Sequence, residues 1–383
     1  MSVAKKKTAA TATRNACKLC APLGATLAFR GVRGAVPFLH GSQGCATYVR
    51  RYLISHYKEP VDIASSSFTE EATIFGGGKL LHTGLDNVSR QYGPELIGVA
   101  TTCLAETIGE DLPYLLGEYR RERSEKGPVL VPVSTPSYVG THAEGFTATV
   151  RALVESLAAG GEREDFVNLL PGMVSPADIR CLREIVRDFG LEGTILPDYS
   201  ETLDGQAWED YRMIPEGGTG IEEIRRMGRA AATVEFGSTA PPSRTAGGLL
   251  RDRFETPLLS MPLPIGVRAS DRFFGALEEI SGRPVPNLHA AERGRLVDAY
   301  VDGHKYLSGR RAVVYGEEDL VAALAGFLVE VGVKPVLLAT GGESGRLEEA
   351  LRRDVPDLPA ESIVRTAADF MEIEEEARTL APE

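Results

Sequence analysis

Gly34-Ala-Val-Pro-Phe-Leu39 runs into His40-Gly-Ser-Gln-Gly-Cys45, and Leu96-Ile-Gly-Val-Ala100 runs into Thr101-Thr-Cys103. Both apolar runs are short and unbroken, as strands buried on both faces of a parallel sheet are. A helical pattern follows each cysteine, Tyr48-Val-Arg-Arg-Tyr-Leu53 after the first and Leu104-Ala-Glu-Thr-Ile108 after the second. The repeated order of strand, cysteine and helix predicts an α/β fold with its thiols at strand–helix junctions. There a thiolate meets the positive end of a helix dipole and free backbone N–H groups. Gly24, Gly41 and Gly44 let the backbone approach a bulky inorganic group.

The cysteines are unevenly placed. Of five, Cys17, Cys20, Cys45 and Cys103 fall in the first 103 residues, and Cys181 is the last. Clustered thiols in a chain without a secretory signal point to metal or redox chemistry rather than disulfides. Cys20, Cys45 and Cys103 are an incomplete set for a four-thiolate iron–sulfur cluster or a closed zinc site. Either Cys17, in Cys17-x-x-Cys20, completes it, or a partner chain supplies the rest at an interface. Cys181 sits in the helical stretch Ala177-Asp-Ile-Arg-Cys-Leu-Arg-Glu-Ile-Val186 and is expected to be core.

Strand and helix patterns alternate onward from Lys79. Strands are expected at 129–133, 166–170, 194–196, 233–236, 311–315 and 335–339, with helices at 146–158, 176–189, 221–231, 269–280, 291–307 and 319–331. A proline-rich crossing, 256–264, precedes the last set. The expected organisation is a basic arm at 1–16, a first α/β domain at 17–160 carrying the cysteines, a second at 161–260, and a Rossmann-like third at 261–383 with an acidic end. No Gly-x-Gly-x-x-Gly follows a strand and no Walker A lysine motif occurs, so nucleotide binding is not expected.

The chain has 54 acidic against 42 basic residues, a net charge of −12, which argues against non-specific nucleic-acid binding. Residues 1–20 carry Lys5, Lys6, Lys7, Arg14 and Lys18 with no acid; taking that +5 from the total leaves −17 on the rest. No apolar run approaches the ~18 residues of a membrane span, and a cytoplasmic location is expected.

Further motifs carry a resemblance. Cys20-Ala-Pro-Leu-Gly24, His40-Gly-Ser-Gln-Gly-Cys45, Ser67-Phe-Thr-Glu70, Ile74-Phe-Gly-Gly77, Thr101-Thr-Cys-Leu-Ala-Glu106 and Thr135-Pro-Ser-Tyr-Val-Gly140 stand in one order. Asn168-Leu-Leu-Pro-Gly172, Leu263-Pro-Ile-Gly266 and Glu292-Arg-Gly-Arg-Leu-Val-Asp298 continue it. Together they resemble the β-type subunit of nitrogenase component 1.

The resemblance implies three Rossmann-like domains and an α2β2 assembly with an α-type subunit. It further implies an [8Fe-7S] P-cluster at the α/β interface, with Cys20, Cys45 and Cys103 as this chain's ligands. Ser137 matches a serine that can ligate the oxidised cluster, with a helix N-cap as its alternative role, and Cys17 is a further candidate ligand. Tyr48 matches an aromatic between the P-cluster and the catalytic cofactor, and Phe75 matches a docking position for an ATP-dependent iron–sulfur reductase. Glu59, Asp298 and Asp302 match an inter-subunit cation site, although Lys58 departs from the usual arginine. The larger iron–sulfur cofactor is expected in the partner, so no catalytic residue is expected here, and His40 is expected to be a satisfied core histidine. The compact length favours a nitrogenase-like reductase such as methylthio-alkane reductase, which reduces C–S bonds. The alternatives are a dinitrogenase β subunit, an N-type assembly scaffold with a [4Fe-4S] cluster, and a zinc-stabilised binding module using Cys17, Cys20, Cys45 and Cys103.

Overall fold

A computed structural model describes residues 15–123 and 127–382; the charges of Lys5, Lys6, Lys7 and Arg14 lie outside the described residues. The chain forms two compact units, one of Cys20–Glu235 with Pro242–Leu259, the other of the residues up to Leu19, Phe236–Pro241 and the chain from Ser260 onward.

The first unit opens with α1 (Ala21–Arg30), β1 (Ala35–His40), α2 (Gln43–Tyr57), β2 (Ala64–Ser65), α3 (Glu70–Phe75), α4 (Gly78–Tyr92), β3 (Leu96–Thr101), α5 (Cys103–Thr107), α6 (Leu112–Glu122), β4 (Val129–Val133) and α7 (His142–Leu157). Its sheet has the order β2-β1-β3-β4, and all three pairings are parallel. Every residue of β1 and β3 is buried, as their continuous apolar runs predict. Leu81, Leu85 and Val88 of α4 and Leu112, Leu116 and Tyr119 of α6 pack against Val36, Phe38, Ile97 and Val99 to form the core of this layer. On α1 all ten residues are buried. It packs tightly on α7, because Gly24 and Gly145 bring the two backbones together. A Cβ on Gly24 would lie 1.8 Å from the His142 carbonyl oxygen, and one on Gly145 would lie 2.1 Å from that of Ala21.

A second sheet follows, built from β5 (Glu164–Leu170), α8 (Pro176–Asp188), β6 (Gly193–Ile195), α9 (Ile221–Arg226), β7 (Ala230–Phe236), α10 (Ala246–Phe254) and β8 (Leu258–Met261), in the order β6-β5-β7-β8. The helix expected at 221–231 stops at Arg226, and a 3-10 turn over Met227–Arg229 leads into β7. The proline-rich crossing contributes a strand, β8, because Thr233 N–H can donate to Pro257 O. Cys181 is exposed, contrary to expectation. The buried stripe of α8 runs through Ile179, Leu182 and Val186, a helical period that leaves position 181 off the core face.

The C-terminal elements are α11 (Val267–Ser281), α12 (Asn287–Leu307), β9 (Arg311–Gly316), α13 (Glu318–Glu330), β10 (Lys334–Thr340), α14 (Leu347–Asp354), β11 (Ile363–Arg365) and α15 (Phe370–Leu380). Their parallel sheet has the order β11-β10-β9. The long α12 buries none of its residues. Among the described residues, no helix is long and apolar enough to cross a membrane.

Candidate metal centre

In the first sheet β1 is flanked by β2 on one side and β3 on the other, so the winding reverses between β1 and β3. Crevices at the carboxyl ends of such a pair are the usual ligand sites of open α/β sheets. The register pairs His40 with Thr101, the last residues of the two strands. Cys45 lies in the first turn of α2, whose N-cap Ser42 accepts from Gly44 N–H, and Cys103 opens α5. Cys20 is the N-cap of α1. Three thiols therefore stand at helix starts.

They also sense one another. Burial pushes the Cys45 thiol above its ordinary pKa, and the nearby thiols of Cys103 and Cys20 raise it further by repulsion between thiolates. Opposing this, Thr102 pulls it down through its side chain. Gathering three thiolates here calls for a positively charged group among them.

The surroundings are donors aimed at sulfur. Ser137 N–H donates to Cys103 Sγ over 3.3 Å. Its loop is pinned to β3: Thr135 N–H donates to Thr101 Oγ1 (2.9 Å) and the Thr135 hydroxyl to Thr101 O (2.6 Å). The Thr101 and Ser134 hydroxyls both donate to the Glu106 carboxylate. Ser137 is not a helix cap, since Thr141 caps α7 in a reciprocal box with Glu144. Ser137 is half-buried, and its backbone N–H is the group that meets Cys103.

His40 is fully buried beneath this rim. Its Nδ1 pairs with Ser66 Oγ and its Nε2 with Glu110 Oε2, each at 3.1 Å, so it is satisfied rather than a free base. Glu110 Oε1 accepts from Gly77 N–H at 2.6 Å, and Ser66 Oγ accepts from Gly41 N–H at 2.9 Å. One buried network thus holds the Cys45 loop and the glycine turn after Phe75. Phe75 is 82% exposed, Ile74 74% and Tyr48 63%, so none of them is core.

The remaining expectations resolve differently. Cys17 is buried among Leu337, Ala339, Ala368 and Ile373. Its N–H donates to Ala368 O and its carbonyl accepts from Gly341 N–H. This packing makes it a core residue of its unit, and burial raises its thiol pKa. Four thiolates on one zinc lie within about 4 Å of each other, yet among the described residues no three His, Cys, Asp or Glu side chains could hold a metal ion. A cluster spreads its ligands over several metal atoms and does not need that closeness. Asp298 and Asp302 lie one turn apart on exposed α12, and Glu59 follows α2 half-buried.

Two contributors escaped sequence reasoning. The Thr102 hydroxyl was hidden in plain sight beside Cys103, whereas Glu110 reaches His40 from 70 residues away and left no local signal.

Parallel α/β winding with cysteines beside a switch point is the architecture of an α/β oxidoreductase subunit. The model of the nitrogenase component 1 type oxidoreductase family matches residues 20–383, and the chain belongs to that family. It is 36% identical over 362 residues to the nitrogenase molybdenum-iron protein beta chain of Clostridium pasteurianum, covering 94% of this chain and 79% of that one. To the nitrogenase vanadium-iron protein beta chain of Trichormus variabilis it is 33% identical, over 90% of this chain and 75% of the other. The structure of nitrogenase Cp1 at pH 6.5 superposes with a TM-score of 0.94 at 34% identity, covering 99% of this chain and 83% of that chain.

Proposed function

We propose that this chain is the β-type subunit of a dinitrogenase-type α2β2 reductase, supplying Cys20, Cys45 and Cys103 to a P-cluster shared with an α-type partner. The convergence of three thiols at one exposed switch-point rim carries this reading. The donor set fits such a group: soft sulfur ligands and an amide on Cys103. When bound, the cluster supplies one-electron relay chemistry. The chain's own work is to hold the thiolates at helix starts, to keep water from their buried side, and to place Tyr48 one turn beyond Cys45. The exposed apolar groups around the rim are suited to burial under a partner. Phe75 and Ile74, fixed from below by Glu110, form the docking surface for an ATP-dependent iron–sulfur reductase. Asp298 and Asp302, with Glu59, keep their proposed role in an inter-subunit cation site.

The C–S bond reduction expected of methylthio-alkane reductase gains no support from any contact in the chain, and the relatives named above are nitrogenase beta chains. Dinitrogen reduction is therefore the stronger reading. Anaerobic co-purification with the α-type partner, followed by iron, zinc, molybdenum and vanadium analysis and EPR, tests it. Iron beyond one four-iron cluster per αβ pair, with a heterometal, is the expected result. Iron limited to four-iron clusters would point to an assembly scaffold, and stoichiometric zinc without iron would overturn the cluster.

A further inference from the structure

Thr102 sits between the two halves of the rim. It is fully buried, as the N-cap of α5, and its backbone N–H donates to His40 O over 3.0 Å. An N-cap threonine ordinarily turns its hydroxyl back onto its own helix, but Thr102 makes no such bond. Its hydroxyl has no hydrogen-bond partner among the described residues. The hydroxyl instead faces two things. One is the Cα of Gly41, where a Cβ would lie 1.8 Å from Thr102 Oγ1. The other is the side chain of Cys45.

A buried hydroxyl without an acceptor is costly, about 1–3 kcal/mol. A neutral thiol is a weak acceptor and does not draw the group into hydrogen-bonding geometry, whereas a thiolate is a strong one. The orphaned hydroxyl is thus matched to a charged sulfur at Cys45. Glycine at position 41 leaves the space that this orientation needs.

We propose that the Thr102 hydroxyl donates a hydrogen bond to the Cys45 sulfur when that sulfur is a metal-bound thiolate, and thereby raises the reduction potential of the group it holds. This rests on the cluster reading above. Hydrogen bonds to ligand sulfurs withdraw electron density and favour the reduced state. Thr102 is a tuning residue: it touches the ligand, not the substrate.

The test uses the αβ complex purified anaerobically as wild type, Thr102→Val and Thr102→Ser, with iron content, thermal melting and an EPR-monitored redox titration on each. Valine keeps the shape and removes the donor, while serine keeps the donor. The expected result is unchanged iron in all three, a more negative midpoint potential in Thr102→Val, and a wild-type potential in Thr102→Ser. Equal potentials in wild type and Thr102→Val, or equal shifts in both variants, would overturn the inference while leaving the cluster reading intact. Wild-type complex without iron would overturn the cluster reading, and the inference with it.

Discussion

The first and the C-terminal sheets are both parallel and both flanked by helices, yet only one presents its thiols. In the first, the order β2-β1-β3-β4 reverses between β1 and β3 and opens a crevice where Cys45 and Cys103 stand. In the other, β9, β10 and β11 follow in sequence order without reversal. The turn after β10 is filled by the chain itself, since Gly341 N–H donates to Cys17 O over 3.2 Å and a Cβ there would lie 2.3 Å from that oxygen. Gly341 therefore serves close backbone packing. The setting of Cys45 and Cys103 at a crevice, and of Cys17 in a packed core, thus follows the strand order around each.

The largest expected effect follows directly. Cys45→Ala and Cys103→Ala should lose most of the iron of the purified complex, whereas Cys17→Ala should keep it and lose only about 1 kcal/mol of stability. Iron analysis beside denaturant unfolding reads both. Equal iron loss in Cys17→Ala would erase the contrast.

Glycines divide in the same way. Gly145→Val should destabilise the chain by roughly 3 kcal/mol, because the added Cβ meets the Ala21 carbonyl and α1 has no freedom to withdraw. Gly275, within α11, has nothing within 4 Å of its Cβ position, and Gly275→Ala should stabilise by up to ~1 kcal/mol. Chemical denaturation of the two variants decides whether close backbone approach, rather than helix propensity, governs Gly145.

A smaller effect comes from His40. Burial holds its pKa below the ordinary value, with the hydrogen bond and charge of Glu110 opposing. The unfolded chain therefore binds a proton that the folded one refuses as pH falls through about 6.5. Stability should decline below that pH and be fully present above it. His40→Gln should flatten this part of the melting-temperature profile; an unchanged slope would show that other groups carry it.

Much of this was legible beforehand. The strand–cysteine–helix repeat at residues 34–53 and 96–108 shows itself because each element is local and buried on both faces. The placing of Cys45 and Cys103 just after β1 and β3 was legible for the same reason. What escaped depends on contacts far apart in sequence: the Glu110–His40 pair, the burial of Cys17 against Ala339 and Ala368, and the pairing that makes a strand of Leu258–Met261. The early end of α9 escaped because its helical period continues while the backbone turns into β7.

Cys181 supplies the smallest effect and the sharpest control on the comparison. It shares neither setting, lying on the outer side of α8 away from Ile179, Leu182 and Val186. Its thiol pKa is raised, first by partial desolvation and then by the nearby charges of Glu184 and Asp178. At neutral pH it therefore holds less thiolate than a free cysteine, and the thiolate is the reactive form. Cys181→Ser should change stability by no more than about 0.5 kcal/mol and leave iron content untouched. In the intact complex Cys181 should react with iodoacetamide more slowly than free cysteine despite its exposure, and Glu184→Gln should speed it. Fast labelling that ignores Glu184 would mean that exposure alone governs this thiol, and position in the fold would then explain less of cysteine behaviour here than the two sheets suggest.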